Sequence, residues 1–144
     1  MIEIKFTDII GRCTLISAFD ARESITGSGE SNYKQMRITT QEDELLKTYI
    51  GQGANFIESK LTGILGVATT ATDSISFNLM STDRGAGEST IKRSISETIV
   101  AYTLQRWYED KSPDKSKAYN ALFTDMLEAT KAIAYRKTHP TLTT

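Results

Sequence analysis

A glycine-rich segment ahead of a predicted helix is the first place in the sequence where ligand chemistry could reside. Gly85-x-Gly87-x-Ser89-Thr90 follows a predicted strand, which is where a phosphate-binding loop is placed. Such a loop carries a lysine directly before the Ser/Thr because that charge reaches the terminal phosphates, whereas this chain has Glu88 there. No βαβ pattern surrounds the segment. We therefore interpret it as a glycine turn next to a helix N-terminus and predict no nucleotide cofactor.

Two Glu-x-Lys pairs form the second candidate, because such pairs occur in metal-dependent nucleases. They are Glu58 with Lys60 and Glu109 with Lys111. A metal site of that kind needs a further carboxylate and a strand that presents both residues to one ion. Both pairs fall in predicted helices, where side chains two residues apart point in different directions. Solvated helix charge is our interpretation, and a metal-dependent nuclease is kept as a third functional hypothesis.

Acidic residues also flank two predicted turns, and oxygen-rich turns can bind calcium or magnesium. Asp83 and Glu88 flank the glycine turn, and Asp110 and Asp114 flank a turn between two predicted helices. Neither group has the spacing of an EF-hand loop. Capping and turn formation account for these residues, so we predict no metal site.

The single cysteine and the single histidine limit nucleophilic and metal chemistry further. Cys13 is followed closely by Leu15 and preceded by Ile9 and Ile10, which predicts a small buried hydrophobic residue. One cysteine excludes an internal disulfide framework and a cysteine-rich zinc site. The only histidine is His139, so multi-histidine metal sites are excluded as well. We predict that the protein is not an enzyme.

The composition indicates one globular domain. The chain has 144 residues, 39% hydrophobic and 24% charged, with 17 basic and 18 acidic side chains. A net charge of -1 gives none of the bulk attraction typical of a nucleic-acid binder or a membrane-surface protein. The acidic N-terminal segment does not resemble a signal peptide, and the longest uncharged run, residues 61–72, is shorter than the roughly 20 residues of a membrane span. We expect synthesis in the host cytoplasm and no membrane partner.

The N-terminal quarter of the chain mixes several patterns. Apolar residues alternate with charged ones over residues 2–6, which predicts a strand with one buried face. Residues 8–20 fit a helix and a strand about equally well. Residues 23–32 are rich in Gly, Ser and charge, which is typical of a loop or a protruding arm. Residues 33–38 are predicted to be extended.

A first long helix is predicted after this segment. Thr39 or Thr40 is a suitable N-cap, Glu42 or Asp43 completes a capping box, and Gly66 is a natural stop. Its apolar stripe consists of Leu46, Ile50, Ala54, Ile57, Leu61 and Ile64.

Two glycines interrupt this helix. Gly51 and Gly53 each cost about 1 kcal/mol relative to alanine in a helix interior. They permit either a close approach of another backbone or a kink.

The remaining half predicts a strand and two more helices. Alternation over residues 74–81 indicates a strand, and a helix is predicted over residues 88–109. Ser112 and Pro113 open a third helix as N-cap and first helical residue, and His139-Pro140 ends it. The short connection makes the last two helices an antiparallel hairpin.

The predicted fold is mainly α with minor β in a single domain, residues 1–144. A three-helix core with a helical hairpin carries a small β element from the N-terminal segment and residues 74–81. Residues 1–38 are the N-terminal strand and extended arm, residues 39–137 the helical core and residues 138–144 a C-terminal tail.

This layout resembles the head–tail connector, or adaptor, family of tailed bacteriophages. The resemblance rests on QEDELLKTYIGQGANFIESKLTGIL (residues 41–65), SISFNLM (residues 74–80), ISETIVAYTLQRWYED (residues 95–110) and the Ser-Pro turn. Such adaptors commonly begin their core with an acidic helix and continue to a helix with a segment similar to Ala101-x-x-Leu104-x-x-x-Tyr108. The similarity covers residues 39–137.

The resemblance implies a non-enzymatic virion protein without cofactors. Copies of a connector form a ring, usually twelvefold, that joins the portal protein to the tail in the neck of the virion and contacts neighbouring neck and tail proteins. DNA passes through its channel during viral genome packaging and release, and a near-neutral chain suits such a channel. The alternatives are a small helical protein-interaction module of a bacterial host and the nuclease named above.

A ring also needs two different adhesive faces on each chain, because its interfaces are head-to-tail. The arm at residues 23–32 and the segment from Tyr135 to Thr144 are the predicted reaching elements. Trp107 is interpreted either as an interface anchor or as a core residue. The candidate partner-binding residues are Ile25, Tyr33, Trp107, Tyr135, Arg136, His139 and Leu142.

Overall fold

The architecture is given by a computed structural model that describes residues 2–28, 38–61, 65–66, 69–78 and 88–135, with the backbone alone for residues 21–28, 40, 88 and 135. This part of the chain contains four α-helices and a three-stranded antiparallel sheet, which confirms the predicted mainly α class with minor β. The elements are β1 (Ile2–Lys5), α1 (Phe6–Ser28), a short 3-10 helix (Thr40–Glu42), α2 (Asp43–Lys60), β2 (Thr69–Thr70), β3 (Ser74–Phe77), α3 (Glu88–Tyr108) and α4 (Pro113–Tyr135). None of the helices in the described part is both long and apolar enough to cross a membrane.

The sheet confirms a strand at each place predicted from alternation, with shorter bounds: Phe6 begins α1, the second strand ends at Phe77, and residues 79–81 lie outside the described residues. β3 lies in the middle and pairs with β1 so that Ile2 is opposite Phe77 and Ile4 is opposite Ile75. All four side chains are buried on one face, while Glu3 and Lys5 are exposed. These apolar cross-strand pairs stabilise so small a sheet. The two-residue strand β2 was not predicted; its threonines pair with β3 across a tight turn in which the Ala71 N–H donates to the Ser74 carbonyl at 2.8 Å.

Helix α1 corrects the prediction for the N-terminal segment. Residues 8–20 are helical, and the helix continues to Ser28, so residues 23–28 are not the predicted loop or arm; residues 29–37 lie outside the described residues. The core is therefore built from four helices rather than three. The buried stripe of α1 consists of Phe6, Ile9, Cys13, Ser17 and Asp20. Because its last two residues are polar, the apolar residues alone do not trace the helical spacing through this segment.

Helix α2 begins as predicted and ends early. The Glu42 carboxylate accepts hydrogen bonds from the Thr39 backbone N–H at 2.9 Å and from the Thr39 hydroxyl, which confirms the capping box. The helix ends at Lys60, ahead of the predicted stop at Gly66. The Gly66 N–H donates instead to the Asn78 carbonyl at 2.8 Å, so this residue extends the edge of the sheet rather than a helix.

Helices α3 and α4 form the predicted antiparallel hairpin. The Ser112 hydroxyl accepts a hydrogen bond from the Lys115 N–H at 3.4 Å at the start of α4. The Ser116 hydroxyl donates a hydrogen bond to the Gln105 carbonyl at 3.0 Å and so connects α4 to α3 near the turn. Farther along, the Thr130 hydroxyl bonds to that of Ser94 at 2.6 Å. Helix α3 is central: α1, α2, α4 and β1 all pack on it. Most residues of α3 from Thr98 to Tyr108 are buried, so this part of the helix carries apolar residues around most of its circumference.

Gly53 provides the close approach that the sequence allowed. A Cβ at this position would lie 2.9 Å from Cδ1 of Tyr102 on α3, so the missing side chain lets an aromatic ring, rather than a backbone, pack against α2. Gly51 has nothing within 4 Å of the same point and faces open space. Only one of the two glycines is therefore required by packing.

Candidate interaction surface

A groove runs along one side of the α3–α4 hairpin. Its floor is α3 and one wall is α4; α1 forms the other wall over the half near the hairpin turn. The half that includes α1 has a volume of about 180 Å³, and the other half has a volume of about 280 Å³. Glu97 and Met126 line both halves, so the groove is continuous.

The spacing of lining residues explains why these helices form a groove. On α3 the lining residues are Thr90, Arg93, Ser94, Glu97, Val100, Ala101 and Leu104. They recur every three or four residues and therefore share one helix face. From Thr90 to Leu104 this face is about 21 Å long at 1.5 Å per residue. Ala101 is small, so the floor stays low between the two walls.

Three large apolar side chains are exposed on the two helices that form the walls of the groove. Leu122 on α4 is 40% exposed and lines the groove, together with Ile16 of α1 and Met126. Leu15, which is 66% exposed, and Phe19, which is 60% exposed, lie one turn apart on α1 and are not among the lining residues. Isolated exposed leucines are common, whereas neighbouring exposed apolar residues can mark a binding surface.

Two of the charged residues that line the groove, Arg12 and Glu97, form an ion pair. Arg12 donates to the Glu97 carboxylate at 3.1 Å across the gap between α1 and α3. Both side chains are partly exposed, so the pair contributes little to stability. The pairing lowers the net charge that this surface presents to a partner.

A buried polar cluster closes the end of the groove near the hairpin turn. The Tyr119 hydroxyl donates to Asp20 Oδ2 at 2.6 Å, and the Tyr108 hydroxyl donates to the same oxygen at 2.9 Å. Lys115 Nζ lies 3.8 Å from Asp20 Oδ1, and the two tyrosine rings are stacked with centroids 5.6 Å apart. Asp20 therefore ties α1 to α3 and α4 at once.

Two groups in this region bind their protons unusually tightly. Burial, followed by the charge of Asp20, raises the pKa of Tyr108 well above its usual range. Burial raises the pKa of Cys13 to about 12, and its Sγ lies 4.0 Å from the Val100 carbonyl. A thiol in this state is a packing residue and not a nucleophile, as the sequence predicted.

A second exposed apolar surface lies on α2, and we call it the ridge. It consists of Leu45, Tyr49, Gln52 and Phe56, spaced four, three and four residues apart on one helix face. Leu45 and Phe56 are each 42% exposed. The Phe56 ring packs edge-on against Phe123 at 5.5 Å, and Lys60 lies 5.6 Å from the Phe56 centroid.

The ridge and the groove lie on opposite sides of the central helix. Tyr102 and Arg106 of α3 face α2: the Arg106 guanidinium is 5.1 Å from the Tyr49 ring, and Tyr102 packs at Gly53. Leu104 lies in the groove. Residues two apart on a helix point about 200° from one another, so the two surfaces are separated by the body of α3.

Most of the partner-binding residues predicted from sequence lie outside the described residues. Outside the described residues lie Tyr33, Arg136, His139 and Leu142. Ile25 lies in α1 and Tyr135 ends α4, and only the backbone of these two residues is described. Trp107 is 3% exposed and packs in the core, with Lys111 Nζ 3.8 Å from the ring centroid. This position agrees with the interpretation of Trp107 as a core residue. A contact between Trp107 and a partner stays a prediction.

The sequence-predicted chemical motifs do not converge on one site. Glu58 and Lys60 lie on α2, whereas Glu109 and Lys111 lie in the turn after α3 rather than on a helix. Ser89 and Thr90 open α3, and Gly85 and Gly87 lie outside the described residues. Within the described residues no three His, Cys, Asp or Glu side chains are grouped as metal ligands.

Sequence reasoning missed both surfaces described above. Leu15 and Phe19 lie in a segment whose apolar spacing fits a helix and a strand equally well, and their spacing of four residues becomes informative only once α1 is known to be a helix. Comparisons with protein-family models, with curated proteins and with solved structures give no match.

Proposed function

We propose that this chain is a non-enzymatic structural protein of a tailed-phage virion, a head–tail connector whose copies form a ring between the portal protein and the tail. The observation that carries the proposal is the pair of separate exposed apolar surfaces, the groove with its rim and the ridge. A chain that binds neighbours on two sides needs two such surfaces.

The elements that carry the sequence resemblance support the same proposal. They fold as α2, β3, α3 and α4 around one core, so the resemblance corresponds to one packed unit and not to scattered helices. A net charge of -1 suits a protein that borders a DNA channel without binding DNA tightly.

An affinity pull-down tests this proposal. The tagged chain is expressed in the source cells during phage production, and captured proteins are identified by mass spectrometry. We expect portal and neck proteins to be recovered, and to be depleted at least tenfold with a chain that lacks residues 138–144 but melts at the same temperature. Recovery of host proteins alone would instead support the host interaction module, and a chain that captures nothing above background would contradict both.

A further inference from the structure

We draw no further inference here: the strongest candidate, the groove that α3 and α4 form with α1, is an open apolar surface, and nothing in the structure shows what covers it.

Discussion

At the residue scale, Asp20 shows how one buried carboxylate organises several helices. Its Oδ2 accepts hydrogen bonds from Tyr108 and Tyr119, which lie on different helices. The Tyr108 side chain is fully buried, so its hydroxyl has no water to bond if Asp20 is removed. A buried donor left without an acceptor costs more than the hydrogen bond itself contributes.

Asp20→Ala should therefore lower the free energy of unfolding by about 3 kcal/mol. The measurement is urea denaturation at neutral pH followed by circular dichroism. Asp110→Ala, at an exposed position in the turn after α3, is the control and should change the value by less than about 0.5 kcal/mol. Equal effects for the two variants would mean that the cluster does not stabilise the fold.

Cys13 predicts a pH dependence of stability. Its folded pKa of about 12 exceeds the ordinary value of 9.0, so above pH 9 the unfolded chain loses the proton while the folded chain keeps it. Stability contributed by the thiol is complete below pH 9 and is lost as the pH rises toward 12. The slope approaches about 1.4 kcal/mol per pH unit for a group of this kind.

Urea denaturation of the wild type and of Cys13→Ala between pH 8 and 11 checks this expectation. The cavity left by alanine lowers stability at every pH, so the quantity compared is the slope and not the absolute value. The variant should have the shallower decline above pH 9. Identical slopes would show that the thiol ionises in the folded protein at its ordinary pKa.

At the element scale, the chain shows which boundaries a sequence can specify. The start of α2 and the α3–α4 hairpin follow from local chemistry: a capping box at Thr39 and Glu42, and Ser112 before Pro113. Helix α1 could not be assigned because Ser17 and Asp20 occupy its buried face while Leu15 and Phe19 occupy its exposed face. That placement depends on partners distant in sequence, such as Tyr108, and leaves an apolar spacing that fits a strand as well as a helix.

Substitution of alanine for each of the two glycines of α2 should change the stability of the protein in opposite directions. Gly53→Ala would place a Cβ 2.9 Å from Cδ1 of Tyr102 and should destabilise the protein by about 1 to 3 kcal/mol, because the next nearest atoms are Cγ and Cβ of the same side chain, so this end of the ring cannot swing away. Gly51→Ala meets nothing within 4 Å and should stabilise the helix by up to about 1 kcal/mol. Thermal melting of both variants beside the wild type measures the two effects, and changes of the same sign would contradict this assignment of packing roles.

At the scale of the whole molecule, the sequence predicted the need for two adhesive faces but not their location. The resemblance suggested the segments at residues 23–32 and 135–144, because polar segments outside a predicted core are suited to reaching a partner. The groove arises only when α1 and α4 pack on the same helix. The ridge is identified only when the Phe56 ring is seen to pack against Phe123 while 42% of the residue stays exposed. Tertiary packing, which no local pattern encodes, creates both surfaces.

The location of the chain in phage particles tests the connector role most directly. Particles are purified from the source cells after induction, labelled with gold-conjugated antibody against this chain and examined by electron microscopy. We predict gold at the junction of capsid and tail, and gold at the portal vertex of tailless heads. Particles that contain no detectable chain, or gold elsewhere on the particle, would contradict the connector role.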